Sequence, residues 1–295
     1  MPGLHLQPIL AAERDSLAWW IDHAPLAHIH VGWLNPARWV GRPVSLRLAD
    51  SHGRTHAALV TAPDGLGVAW VQAFACGKGH APQASWQALW EAARQALIDL
   101  GVRRVWAMTS EASFAAILLA AGFQQSSEVV TLTYLGERAD PPDTPPDTPP
   151  AIVLREMRAA DLPAVLALDN LAFTPPWQLD REALETTFHA SAVTALALHQ
   201  AEAAGYLLAT QSQGRLHLAR LATAPGWQRK GIGRAMTLHL LHQADRQAAG
   251  HLTVNTQIEN YASLKLYEAL GFGGRGRPVA VYSMNLEPST PLARV

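Results

Sequence analysis

The sequence predicts an α/β chain of the α+β type: two tandem domains, each a mixed, mostly antiparallel sheet flanked by helices. Three observations carry this. Strand-like runs alternate with helical patterns and short hairpins, which gives a mixed sheet covered by helices. The chain also repeats itself. Residues 101–123 and 250–272 match in length, and each reads glycine, short strand, helix, then Ala-Gly-Phe or Leu-Gly-Phe. Finally, a proline-rich stretch, PPDTPPDTPP at 141–150, separates the two copies. No helix or sheet survives that proline density, so a polyproline-like spacer of about 30 Å is expected, at ~3.1 Å per residue. The division is a first domain over 1–138, a linker over 139–150 and a second domain over 151–295.

In the first half, a helical pattern around 10–21 leads into a His- and Trp-rich loop reaching residue 40. Strands are expected at 44–48, 57–61 and 67–74, with Ser51-His52-Gly53 and Pro63-Asp64-Gly65 as turns. A helix over 82–100, a strand over 102–108, a helix over 111–121 and a strand over 129–135 follow. The second half opens with a strand at 152–155, and Asp161 is placed to cap the next helix. A loop with Pro175-Pro176-Trp177 and a further helix run to 188. Strands at 193–199 and 205–210 form a hairpin, and an apolar strand over 216–224 stops at Pro225-Gly226. A long amphipathic helix then runs to Ala249, with Gly250 as its stop. A strand over 251–256, a helix over 260–270 and a strand over 279–286 complete the chain.

The bulk numbers bound the class. A 295-residue chain with 49% apolar residues has ample material for two cores. A net charge of −1 points to neither a nucleic-acid surface nor an anionic membrane. The one cysteine, Cys76, forms no intramolecular disulfide and fits a reducing compartment. No apolar run reaches the roughly 20 residues of a membrane span, and the N-terminus lacks a signal-peptide pattern. A cytoplasmic location is expected. The ten tryptophans read as core or lid residues.

The stretch 218–235, LARLATAPGWQRKGIGRA, combines a strand, a turn with two glycines and a helix start. Free N–H groups at a helix start, together with its dipole, favour phosphate. Gly231 and Gly233 let the backbone approach closely, and Arg229, Lys230 and Arg234 add positive charge. This is no P-loop, because GxxxxGK[ST] is missing, and Met236 stands where a dinucleotide fingerprint needs a third glycine or alanine. A literal GxGxxG at Gly271, Gly273 and Gly276 follows a helix and precedes a strand. That order is wrong for the fingerprint, so it reads as a flexible loop.

The remaining pattern, Q-x-x-G-x-G after a strand ending T-x-P, resembles the acyl-CoA motif of the GNAT superfamily of N-acetyltransferases. The segment NYASLKLYEALGF, from Asn260, resembles the family's second motif. The resemblance covers nearly all of 151–287; over 1–137 it rests on layout and the Gly-Phe echo. It implies that the loop Gln228, Arg229, Lys230, Gly231, Ile232, Gly233 and Arg234 wraps the diphosphate of coenzyme A. It also implies that Asn260 and Ser263 touch the CoA arm, and that Tyr267, two helical turns from Asn260, faces the thioester sulfur. Leu221, Ala222 and Thr223 would pair with pantetheine along the strand edge and supply an N–H for the oxyanion. No metal is implied.

An amine would attack the thioester directly. Tyr267, protonated at neutral pH, would return a proton to the thiolate. For the amine's own proton the candidate is His217. Regular alternation would put it on one strand face with Ala219 and Leu221. Glu182 and Glu185 are weaker candidates, and Pro175-Pro176-Trp177 lies where the family's substrate lid lies. When the halves are aligned, Gly231 and Gly233 face Pro82 and Ala84, Arg229 and Lys230 face His80 and Ala81, Tyr267 faces Leu118, and Asn260 faces Glu111. The first half therefore reads as a degenerate copy. Two function classes stand: an acetyl-CoA-dependent N-acetyltransferase acting on a small-molecule amine or a peptide, and a non-catalytic acyl-CoA-binding or scaffold protein. Either a monomer with paired halves or a homodimer is compatible with the sequence.

Overall fold

The computed structural model describes residues 3–30, 39–40, 44–63, 66–136, 151–246 and 251–286. In chain order the strands are β1 (His5–Pro8), β2 (Leu26–Ile29), β3 (Ser45–Ala49), β4 (Thr55–Pro63), β5 (Val68–Cys76), β6 (Arg104–Thr109), β7 (Gln124–Tyr134), β8 (Ile152–Arg155), β9 (Ser191–His199), β10 (Glu202–Ser212), β11 (Arg215–Thr223), β12 (His251–Gln257), β13 (Phe272–Gly273) and β14 (Val279–Asn285). The helices are α1 (Arg14–Asp22), α2 (Pro82–Asp99), α3 (Ala112–Ala120), α4 (Leu162–Ala172), α5 (Arg181–Ala190), α6 (Ile232–Arg246) and α7 (Tyr261–Ala269). The mixed α/β class expected from the sequence is the class observed.

Two compact units emerge, and their membership corrects the sequence division. The first holds Met1–Ser127 together with Val279–Val295; the second holds Glu128–Pro278. The strand after α3 does not return to its own half. β7 pairs antiparallel with β12, Val130 opposite Thr256 and Leu132 opposite Val254. Conversely, β14 pairs antiparallel with β6, Tyr282 opposite Ala107. Side-chain alternation fixes the faces of a strand but not which neighbour takes its edge, so the sequence carries no sign of this exchange. The linker over 139–150 and the helix end at 247–250 lie outside the described residues.

In the first unit the sheet runs β1-β3-β4-β5-β6-β14, with β2 added on β5. Trp86, Leu89, Trp90, Ala93 and Leu97 recur at helical spacing along α2 and are buried against Phe74, Phe114 and Phe123. In the second unit the order is β7-β12-β11-β10-β9-β8, antiparallel except for the parallel β11–β12 pair. Its core joins Leu207, Leu216 and Leu218 of the sheet to Met236 and Leu240 of α6 and to Leu264 and Tyr267 of α7. Asp161 sits at the expected helix start, but it does not cap with its side chain. Its carboxylate instead pairs with Arg155 at 2.8 Å and accepts the Arg158 N–H at 2.7 Å.

Candidate active site

The site begins with a parting of strands. β12 runs beside β11 only from Arg215 opposite His251 to Leu218 opposite Val254. Beyond Leu218, the edge of β11 over 219–223 meets no strand among the described residues, although β10 lines its other edge throughout. Such an edge is a row of N–H and C=O groups that an extended ligand can join. A bulge lies at the point of parting. Leu208 faces Arg220 but Ala209 faces Leu218, so Ala219 is an extra residue in β11.

The bulge corrects the expected facing of His217. Leu216 and Leu218 lie in the core with α6, and Leu221 packs against that same core. Arg220 turns to the opposite face and bonds Asp169 of α4. His217, one residue off Leu216 and Leu218, therefore shares a face with Arg220 and not with Leu221. It lines a cavity of about 300 Å³ with Thr210, Ser212, Arg215, His251 and Thr253. Thr210, His217, Thr253 and Thr133 are successive cross-strand partners, so they form a polar row over four strands. His217 Nδ1 lies 2.9 Å from Thr253 Oγ1. Burial lowers its pKa to about 4, so the ring is neutral at neutral pH.

The loop after β11 alternates in hand along its backbone. Ala224 N–H donates to Ala204 C=O at 2.9 Å and ties the end of β11 to β10. Arg229 has φ 60 and Gly231 φ 83, with Lys230 between them outside the left-handed region. Alternation of this kind is the backbone pattern of anion-binding nests, and α6 starts immediately after it. A non-glycine residue held left-handed costs on the order of 1 kcal/mol, and such strain collects at functional sites. The side chains of Gln228, Arg229, Lys230 and Arg234 are exposed. Gln228 Nε2 reaches Thr223 C=O at 3.4 Å, and Lys230 Nζ stands 4.3 Å over the Trp227 ring. Ile232 is buried beneath the loop, and a Cβ on Gly233 would come within 3.4 Å of Leu266 Cδ2 and 3.8 Å of Thr223 Oγ1.

Gly205 positions this loop, and the sequence reading did not single it out. A Cβ there would lie 2.8 Å from Ala222 O, 2.9 Å from Met236 Cε and 3.1 Å from Ile232 Cγ2. Only glycine lets the first turn of α6 sit down on β10 beside the end of β11. A glycine inside a strand pattern was the available signal.

On α7, Asn260 is the N-cap: its Oδ1 accepts the Ser263 N–H at 3.2 Å. The capping role occupies that oxygen, and Ser263 is engaged through its backbone. Tyr267 is 4% exposed and packs in the core, 5.7 Å from the Phe272 ring. Burial holds its phenol well above the usual range, so it is protonated. Glu185 pairs with Arg181 at 2.8 Å on the outer face of α5, and Glu182 is exposed one turn earlier. Among the described residues no three of His, Cys, Asp or Glu gather to hold a metal.

A buried ionic network was also missed. Asp169 accepts Arg220 Nε at 2.7 Å, the Leu179 N–H at 2.8 Å and the Tyr206 hydroxyl. Arg220 also donates to Trp177 C=O and lies 3.7 Å over the Phe173 ring. The 173–179 loop, where a lid was expected, is thus tied to β11 at the residue after the bulge.

Residues 162–272 match the model of the family described as Acetyltransferase (GNAT) family. The [ribosomal protein bS18]-alanine N-acetyltransferase of Escherichia coli strain K12 is 25% identical over 123 residues, 40% of this chain and 79% of that protein. A GCN5-related N-acetyltransferase from Sphaerobacter thermophilus superposes with a TM-score of 0.65 at 13% identity, covering 99% of this chain and 98% of that one. A tandem GNAT protein from the clavulanic acid biosynthesis pathway superposes with a TM-score of 0.64 at 18% identity, covering 97% and 99%. The family match falls within the unit that carries the parted strands and the anion loop, and the likeness in fold extends over both units. Residues 162–272 thus carry the likeness to the GNAT acetyltransferase family, and the chain as a whole shares the fold of the tandem GNAT protein.

Proposed function

We propose that the second unit transfers an acetyl group from acetyl-CoA to an amine, on a small molecule or at a protein N-terminus. The observation that carries this is the edge of β11 over 219–223, unpaired among the described residues, which runs directly into the loop with left-handed Arg229 and Gly231. In this reading the N–H groups of 229–233 hold the diphosphate, with Arg229, Lys230 and Arg234 around it. The pantetheine arm extends β11 as a further strand along Leu221, Ala222 and Thr223. The free amide nitrogen of Asn260 and the hydroxyl of Ser263 face that arm.

The amine attacks the thioester carbonyl; a C–N bond forms and the C–S bond breaks. A β11 N–H aimed at the carbonyl oxygen stabilises the charge that grows there. The departing thiolate takes the Tyr267 proton. An ordinary phenol titrates near ~10 and a thiol near ~8.5. Burial raises the phenol, and the same surroundings disfavour the thiolate, so both groups resist the anionic form. A gap between two strands opens onto both faces of a sheet. Tyr267 can therefore address it from the α7 side and His217 from the other, where neutral His217 receives the proton shed by the amine. Placement of amine against thioester supplies most of the acceleration. An acceptor at a protein N-terminus is supported by the bS18-alanine relative.

The test is a panel of small amines and alanine-terminated peptides incubated with acetyl-CoA and the full chain, read as free thiol. Amine-dependent thiol release is the expected result. Tight acetyl-CoA binding with no release across the panel would favour a binding module instead.

A further inference from the structure

We infer that the first unit fills its own cofactor cleft with strand β2, so that the chain carries a single acyl-CoA site. The assignment of that site to the second unit rests on the function proposed above; the filled cleft itself does not.

The two units part their strands in the same way. In the first, β6 runs parallel to β5 only from Val68 opposite Arg104 to Trp70 opposite Trp106. β4 lines the other edge of β5 from Ala69 to Cys76. In the register that sets Gly231 against Pro82, Leu221 falls on Gln72 and Thr223 on Phe74. In the second unit this stretch of edge meets no strand among the described residues. In the first it is taken. β2 pairs antiparallel with β5 from Leu26 opposite Cys76 to Ile29 opposite Ala73, and His30 N–H donates to Gln72 C=O at 2.8 Å. Since β4 holds one edge of Ala73–Cys76, β2 must occupy the edge that β6 has just left. A strand of the chain thus makes the backbone bonds that an extended pantetheine arm would make.

The plug is sealed by side chains. His28, opposite Phe74, stacks on Phe114 of α3 with ring centroids 4.1 Å apart and planes 15° apart. Its Nε2 is buried with no hydrogen-bond partner among the described residues, and His28 is 4% exposed. That unmet polar group is tolerated only because the strand's backbone bonds and ring stacking outweigh it. The rest of the cleft has lost its ligand-binding parts. Pro82 opens α2 without an N–H to offer, and buried Leu118 replaces Tyr267. Between α1 and β3 the first unit spends its chain on β2, whereas between α4 and β9 the second unit makes α5.

Hydrogen exchange on the full chain tests this, first without ligand and then with acetyl-CoA. By alternation from the His30–Gln72 bond, the amides of His28, His30 and Phe74 point across the β2–β5 interface. Without ligand these three should exchange at least 100-fold more slowly than the open edge over 219–223. Adding acetyl-CoA should slow exchange at 219–223 and 229–233 and leave 26–30 and 72–76 unchanged. Native mass spectrometry should count one acetyl-CoA per chain. Fast exchange of His28 and His30 in the free protein, ligand-induced change at 26–30, or two acetyl-CoA per chain would overturn the inference. Slow exchange at His28 and His30 with no acetyl-CoA bound anywhere would refute the function proposed for the second unit while upholding the filled cleft.

Discussion

Asp169 and Arg220 form an ion pair at 2.7 Å whose side chains are 0% and 7% exposed. The pair is closed on every side: Asp169 also takes the Tyr206 hydroxyl and the Leu179 N–H, while Arg220 covers Phe173 and holds Trp177 C=O. Replacing such a pair with apolar residues can be neutral, but removing one member strands a buried charge at a cost of about 3–5 kcal/mol. Asp169→Ala should therefore lower the free energy of unfolding by about that amount. Arg220→Met combined with Asp169→Leu should lose much less than the sum of the single changes. Urea denaturation of the parent, the three single variants and the double variant measures both. A single change costing under about 1 kcal/mol would show that the network does not hold the loop to β11.

Arg229 and Gly231 separate strain from binding. Gly231→Ala puts a Cβ at φ 83 and should cost about 1–2 kcal/mol of stability, with weaker acetyl-CoA binding. Arg229→Gly relieves a left-handed residue, so stability should hold or rise by up to about 1 kcal/mol. Affinity for acetyl-CoA should nonetheless fall severalfold, because the guanidinium is lost. Thermal denaturation beside equilibrium dialysis resolves the two effects. Equal affinity in Arg229→Gly and the parent would remove Arg229 from the diphosphate site.

Buried histidines set the acid limit of stability. Burial lowers His28 to about 3, with neighbouring His30 adding repulsion, and lowers His30 and His217 to about 4. In the unfolded chain each takes a proton near 6.5. Between about pH 6.5 and 4 the unfolded chain binds more protons, so stability falls as pH falls through that window. Each unit of separation is about 1.4 kcal/mol, which makes the combined loss several kcal/mol. His28→Phe keeps an aromatic ring against Phe114 and should flatten the dependence. Denaturation midpoints at pH 7.5, 6 and 4.5 read this directly; an unchanged slope would mean that His28 takes up its proton over the same pH range folded as unfolded.

Much of the local structure of the candidate site is legible in the sequence because its signals are local. The glycines and charges of 228–234, the strand before them and the helical spacing of Asn260, Ser263 and Tyr267 need no distant partner to be read. What escaped depends on partners far away in sequence. β7 and β14 look like ordinary strands whichever sheet takes them. β2 is four residues long, and its inward His28 breaks the apolar pattern. Asp169 and Arg220 each appear as the one charge in a mostly apolar run, LALDNLA and LARLA. Two such exceptions in one domain are a sign that they satisfy each other. The bulge at Ala219 has no residue signature, so regular alternation misplaces His217.

Tyr267 offers the sharpest test of the chemistry. It sits in the core among Leu264, Leu270 and Phe272, so its ring alone could account for its presence. Tyr267→Phe retains that packing and removes only the hydroxyl. If the phenol protonates the departing thiolate, kcat should fall about 10²–10³-fold, while acetyl-CoA affinity and the unfolding midpoint stay within error. The deficit should shrink for acyl donors whose thiols have a lower pKa, since these leave without help. A fall in stability matching the fall in rate would assign the hydroxyl to structure. An unchanged kcat would place the proton donor elsewhere in the cleft.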